Sequence, residues 1–134
     1  MPMRIFGRVR TVGILAGAVA LLLGGPSQVH AAEGQVIQFM RGGTGYWAPD
    51  PWNGDPGDAI RACDNTTDGK GVEVTLDIHR DGSIDRVATT RGYSAGYCSP
   101  WKTGNLKEGT LVRVKFMVVK GGTVYESHSY DGVA

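Results

Sequence analysis

The sequence predicts an all-β domain: a small antiparallel β-sandwich, immunoglobulin-like, with about six strands and one disulfide. Three observations point there. Apolar residues recur at every second position, and past the N-terminus no stretch of about twelve residues keeps a helical period. Twenty-one glycines and six prolines cut the chain into short segments. Two cysteines, Cys63 and Cys98, offer one intramolecular pair. A small β-barrel is the alternative way to close such strands.

The chain opens with a segment read as targeting and not as fold. Arg4, Arg8 and Arg10 precede an uncharged run from Val12 to Leu23, and Val29 and Ala31 occupy the −3 and −1 positions of a cut. This pattern predicts a signal peptide over residues 1–31 and a single secreted domain over 32–134. The apolar run is shorter than the roughly 20 residues that span a bilayer, so no membrane partner is expected after cleavage. Losing the three arginines leaves eleven cations against thirteen carboxylates, a net charge of −2. An extracellular, mildly acidic protein without a basic stripe is not expected to bind nucleic acid.

The strands follow in order. Gln35 to Met40 opens the domain. Arg41 to Asp58 reads as a long loop, rich in glycine and proline, that carries Tyr46, Trp47 and Trp52. Ala59 to Cys63 reads as a strand, although Asp58 could also cap a single helical turn. Gly71 to His79 is the clearest strand, with Val72, Val74, Leu76 and Ile78 on a buried face and Glu73, Thr75, Asp77 and His79 on a wet one. Asp81-Gly82 predicts a tight turn, with return along Ser83 to Thr90. Centring on that turn pairs Leu76 with Val87 inside and Asp77 with Arg86 outside. Leu111 to Val119 and Thr123 to Tyr130 form a second hairpin around Gly121-Gly122. Its register sets Val118 against Tyr125 and Met117 against Glu126. An oxidising compartment predicts a Cys63–Cys98 disulfide, worth about 3–4 kcal/mol in the chain-entropy model.

Little in the chain points to catalysis. Gly92-Tyr93-Ser94-Ala95-Gly96 matches the nucleophile-elbow pattern, but Tyr97-Cys98-Ser99-Pro100 cannot open the helix which that motif needs. Asp77, Asp81 and Asp85 occupy positions 1, 5 and 9 of a calcium-type loop, with Gly82 at position 6. Ala88 stands where a bidentate Glu is required, so the run reads as a turn. Asp64 to Gly69 starts in the same way and ends at Thr75, again without the Glu. His79 and His128 show no zinc-site spacing. Ser94 or Ser127 with His128 would serve a small hydrolase, the least supported function. Asn65-Thr66-Thr67 is a glycosylation sequon. No catalytic residue, metal or cofactor is expected.

The aromatics carry the functional expectation. If Cys63 bonds Cys98, Tyr46, Trp47 and Trp52 are drawn toward Tyr93, Tyr97 and Trp101 at one end of the domain. Exposed, they would bind a glycan or an extracellular protein; buried, they would cover the disulfide. The expected function is a secreted, monomeric, non-catalytic binding module. The alternative is an inhibitor of an extracellular hydrolase that inserts Ser99 to Thr103.

From Asp58 onward the chain resembles a group of small exported proteins of Gram-positive actinobacteria. The resemblance rests on Ile60-Arg-Ala-Cys63-Asp64, Asp68-Gly69-x-Gly71-Val72, Thr90-Arg91-Gly92-Tyr93 with Cys98, and Trp101-x-Thr-Gly104-Asn105-Leu106-x-Glu108-Gly109. It implies secretion and a β-rich fold. The group has no assigned activity, so no functional residue carries over.

Overall fold

A computed structural model describes residues 34–134. The proposed signal peptide lies outside the described residues. Seven strands form two antiparallel sheets that do not close into a barrel, and there is no helix among the described residues. The strands are β1 (Val36–Met40), β2 (Gly43–Ala48), β3 (Ala59–Asp64), β4 (Gly71–Ile78), β5 (Arg86–Thr89), β6 (Leu111–Lys120) and β7 (Thr123–Val133). One sheet runs β1-β2-β3 and the other β5-β4-β6-β7. Residues 97–102 continue the smaller sheet beyond β3. Asp64 N donates to Tyr97 O at 2.9 Å, Ser99 N to Ala62 O at 2.7 Å, and Ile60 N to Lys102 O at 3.0 Å.

The core forms where the alternation predicts it. Val72, Val74 and Leu76 of β4 and Val112, Val114, Phe116 and Val118 of β6 face the smaller sheet, which contributes Trp47, Ile60 and Ala62. Removing this much apolar surface from water is the main force holding the two sheets together. Thr75 departs from the expected wet face. It points outward, yet it is only 5% exposed, in register with Val87 on one side and Lys115 on the other.

The expected long loop contains β2. Gly43 and Gly45 hide this strand from sequence reading because they bring no side chain to the pattern. They are also what the packing requires. A Cβ on Gly43 would overlap Val72 and the Cys63 carbonyl, and one on Gly45 would overlap Phe116 and Val74. Backbone without a side chain lets the core residues of β4 and β6 press directly against β2. The true loop is Pro49 to Asp58.

Both hairpin registers differ in part from expectation. Leu76 pairs with Arg86 and Thr75 with Val87, one residue away from the predicted match. The cause lies in the loop. Asp77 Oδ1 and Oδ2 accept Asp81 N and Gly82 N at 3.0 and 2.9 Å, and Asp85 Oδ2 accepts Ile78 N at 2.6 Å. The carboxylates thus organise a loop from His79 to Asp85, with positive φ at His79, Arg80 and Gly82, in place of a two-residue turn. Ala88 takes the buried place beside Val74, and Val87 is exposed. Arg86 reaches Asp58 O. In the second hairpin the turn is as predicted, with Lys120 opposite Thr123. A bulge between Val118 and Val119 then places Val118 opposite Glu126 and Met117 opposite Ser127.

Among the described residues, no strand of the smaller sheet lies over β7. Glu126, His128 and Tyr130 stand opposite the inward residues Val118, Phe116 and Val114 and so share their face, yet His128 is exposed. Among the described residues, nothing pairs with the edge of β1 above this shelf. Ile60, Ala62 and Asp64 bond to residues 97–102, so Ala59, Arg61 and Cys63 bond to β2. The same alternation turns Val36, Gln38 and Met40 toward β2 and leaves the N–H and C=O of Ile37 and Phe39 directed outward. Gln38 Nε2 covers one of these groups, Phe39 O, at 3.0 Å.

Several carboxyls are held below their ordinary range. Asp131 is lowered by hydrogen bonds from the Arg113 guanidinium, at 2.7 and 2.9 Å. Glu126 is lowered by His128 and then by Arg41 N, and Asp81 by the Ser83 hydroxyl and amide. A carboxyl whose pKa is depressed on folding adds stability above its unfolded pKa, and that stability is lost as pH falls through the folded value. Melting temperature should therefore stay level near neutrality and fall below about pH 4. Asp131→Asn should flatten part of the decline in low salt. A decline starting above about pH 6 would overturn this assignment.

Candidate functional site

The six candidate aromatics do not gather at one end of the domain. Strand alternation in β2 separates the first two. Trp47 points inward with Gly45 and is fully buried; its Nε1 has no hydrogen-bond partner among the described residues. Trp47 is core, which corrects its reading as a ligand-binding residue. Tyr46 points to the opposite, outer face. Trp52 sits at the tip of the Pro49–Asp58 loop, where a small turn pairs Trp52 with Asp55, and it is 60% exposed.

Tyr46 meets Trp101 edge-to-face, with ring centroids 6.0 Å apart at 65°. Arg61, opposite Tyr46 in register, lies 5.6 Å from the Trp101 ring centroid, and its Nε donates to Ser99 O at 3.2 Å. Ile37 and Phe39 belong to the same outer face, because they stand opposite Tyr46 and Thr44. Phe39 is 75% exposed and Ile37 46%. The sequence reading missed both residues. Gln35 to Met40 is apolar at neighbouring positions, so alternation could not show which side faces water.

The disulfide forms as expected between Cys63 and Cys98, which are 35 residues apart. It lies on this outer face, since Cys63 stands opposite Thr44. Beyond it, Tyr93 and Tyr97 stack with centroids 3.7 Å apart at 9°. The Tyr93 hydroxyl raises the Tyr97 phenol above its usual value. Ser99 is buried and its Oγ accepts Ala62 N at 3.0 Å. The Ser99–Thr103 segment therefore lies flat along β3, whereas an inserted inhibitory loop would project.

The remaining chemistry is local. Asp77, Asp81 and Asp85 each bring a carboxylate oxygen within 4.8 Å of the other two. Those carboxylates already accept the loop's own N–H groups, and this accounts for their clustering without a cation. Ser94 is exposed on its loop. His128 Nε2 lies 2.8 Å from Glu126 Oε1, an exposed pair on the β7 shelf. No helix among the described residues is long and apolar enough to cross a membrane. No known family, curated protein or solved structure matches the chain.

Proposed function

We propose that the protein is an exported binding module that holds another exported protein against the outer face of its smaller sheet. The observation that supports this is the side-by-side placement of Phe39, Ile37, Tyr46, Trp101 and Arg61 on the outer face of one sheet, with Phe39 and Ile37 exposed and the other three partly so. Leaving most of Phe39 and about half of Ile37 in water forgoes part of the roughly 1.5–3 kcal/mol that full burial of such a side chain brings. Tyr, Trp and Arg are the residue types that carry most binding energy at protein interfaces. The mixture of aliphatic and aromatic groups on one sheet face suits a protein partner better than a sugar, which calls for polar groups around each ring. Pairing of the 97–102 segment with β3 fixes Trp101 in place, so little ordering cost remains at binding.

The test compares the secreted protein with Phe39→Ser and Trp101→Ala variants, each immobilised and exposed to culture supernatant. One exported protein should be retained by the parent and lost by both variants, with melting temperatures close to the parent's. An identical set of retained proteins on all three would overturn the proposal.

A further inference from the structure

A second surface lies on the far side of the disulfide. Three chain segments border a groove of about 460 Å³: the turn 64–71, the loop 90–95 and the hairpin tip 119–121. That volume falls within the usual span of small-molecule sites. Lys70, Arg91 and Lys120 line it, against a single lining carboxylate, Asp64. This concentration of cations stands on a protein whose proposed mature form is net negative.

The three cations differ in how they are used. Arg91 is engaged, with Nε 3.0 Å from Glu73 Oε2 and Nη1 2.7 Å from Gly121 O. Lys70 and Lys120 make no ion pair among the described residues. Lys70 Nζ instead lies 4.3 Å from the centroid of the Tyr125 ring. Lys70 and Lys120 thus line one concavity whose single lining carboxylate, Asp64, pairs with neither. Tyr93 also lines the groove and is 58% exposed. Tyr97 stacks on one face of its ring, which leaves the other face open to solvent. Thr66, Thr67 and Ser94 add hydroxyl-bearing residues to the lining.

We infer that this groove binds an acidic saccharide, a sugar whose carboxylate meets Lys70 and Lys120 while its ring lies on Tyr93. Each element answers one part of such a ligand. The ammonium groups supply charge-assisted hydrogen bonds to the carboxylate. The open tyrosine face receives the C–H face of a pyranose, and the lining hydroxyls exchange hydrogen bonds with the sugar hydroxyls. A bare inorganic anion would leave Tyr93 unused, and a neutral sugar would leave both lysines unanswered. The site is separate from the outer-face surface and does not depend on it.

Trigalacturonic acid is the probe, titrated into the secreted protein and followed by amide chemical shifts. Saturable shifts at residues 66–70 and 91–95 are expected, weakening as salt is added. Lys120→Gln and Tyr93→Ala should each lower affinity by about tenfold or more, while Lys120→Arg retains it. Lys120 stands at an exposed hairpin tip, so Lys120→Gln should melt as the parent does. Trp101→Ala should bind the probe normally. Absence of saturation at about 10 mM would overturn the inference. So would equal binding by Lys120→Gln, equal binding of neutral maltotriose, or tighter binding of an octathymidylate.

Discussion

Trp47→Ala should lower stability by about 3–5 kcal/mol, the range for truncating a large buried ring. Trp47 is fully buried against the β4 and β6 core residues and is among the largest side chains in the core. The two flanking sheets cannot collapse onto the gap, because Gly43 and Gly45 already bring β2 as close as backbone permits. For a domain of this size, the melting temperature should fall by well over about 10 °C. Trp52→Ala, at an exposed loop tip, should stay within about 0.5 kcal/mol of the parent. Trp47→Phe should cost less than Trp47→Ala, since it removes the unpartnered Nε1–H while keeping an aromatic ring. Thermal melts of the three variants check this. Equal losses for Trp47→Ala and Trp52→Ala would mean that the core has been wrongly placed.

Replacing both cysteines by alanine should cost about 3–4 kcal/mol. The bond closes a loop 35 residues long and ties residues 97–102 to β3 beyond the hydrogen bonds already there. Its loss should act in two ways. The unfolded chain gains freedom, which lowers melting throughout. The 97–102 segment, an irregular edge, should also show faster amide exchange than β3. Thiol labelling of the native protein without reductant should find no free cysteine. Labelled thiols, or a double variant that melts with the parent, would contradict the bond.

Those two sites show how unevenly the sequence disclosed the structure. The disulfide was legible because two cysteines leave one pairing. The strands β4 and β6 were legible because Val72 to Ile78 and Val112 to Phe116 alternate without interruption. Strand β2 was not legible, since Gly43 and Gly45 carry no pattern although their lack of side chains is what the packing needs. Missing β2 then misplaced the aromatics. Once that strand is known, a period of two sends Tyr46 outward and Trp47 inward, and the supposed single cluster divides. The β4–β5 register was lost for another reason. Asp77 and Asp85 use their carboxylates to build the connecting loop, and such side-chain capping competes with the turn preference of Asp-Gly. Phe39 and Ile37 were lost because β1 is apolar on both faces, one turned to the core and one to solvent.

The uncovered strand β7 has a consequence for self-association. An open edge such as β1 invites a second copy to pair with it, the usual route from a stable sheet to an aggregate. Two copies joined antiparallel through β1 would share a two-fold axis normal to the sheet, with both larger sheets on the same side. Paired strands lie about 4.8 Å apart. Beneath them, each β7 projects one strand further than the β1 above it, so each projecting strand would have to occupy the space already filled by the other copy's β6. The unequal width of the two sheets therefore guards this edge by shape, where other proteins place a proline or an inward-facing lysine.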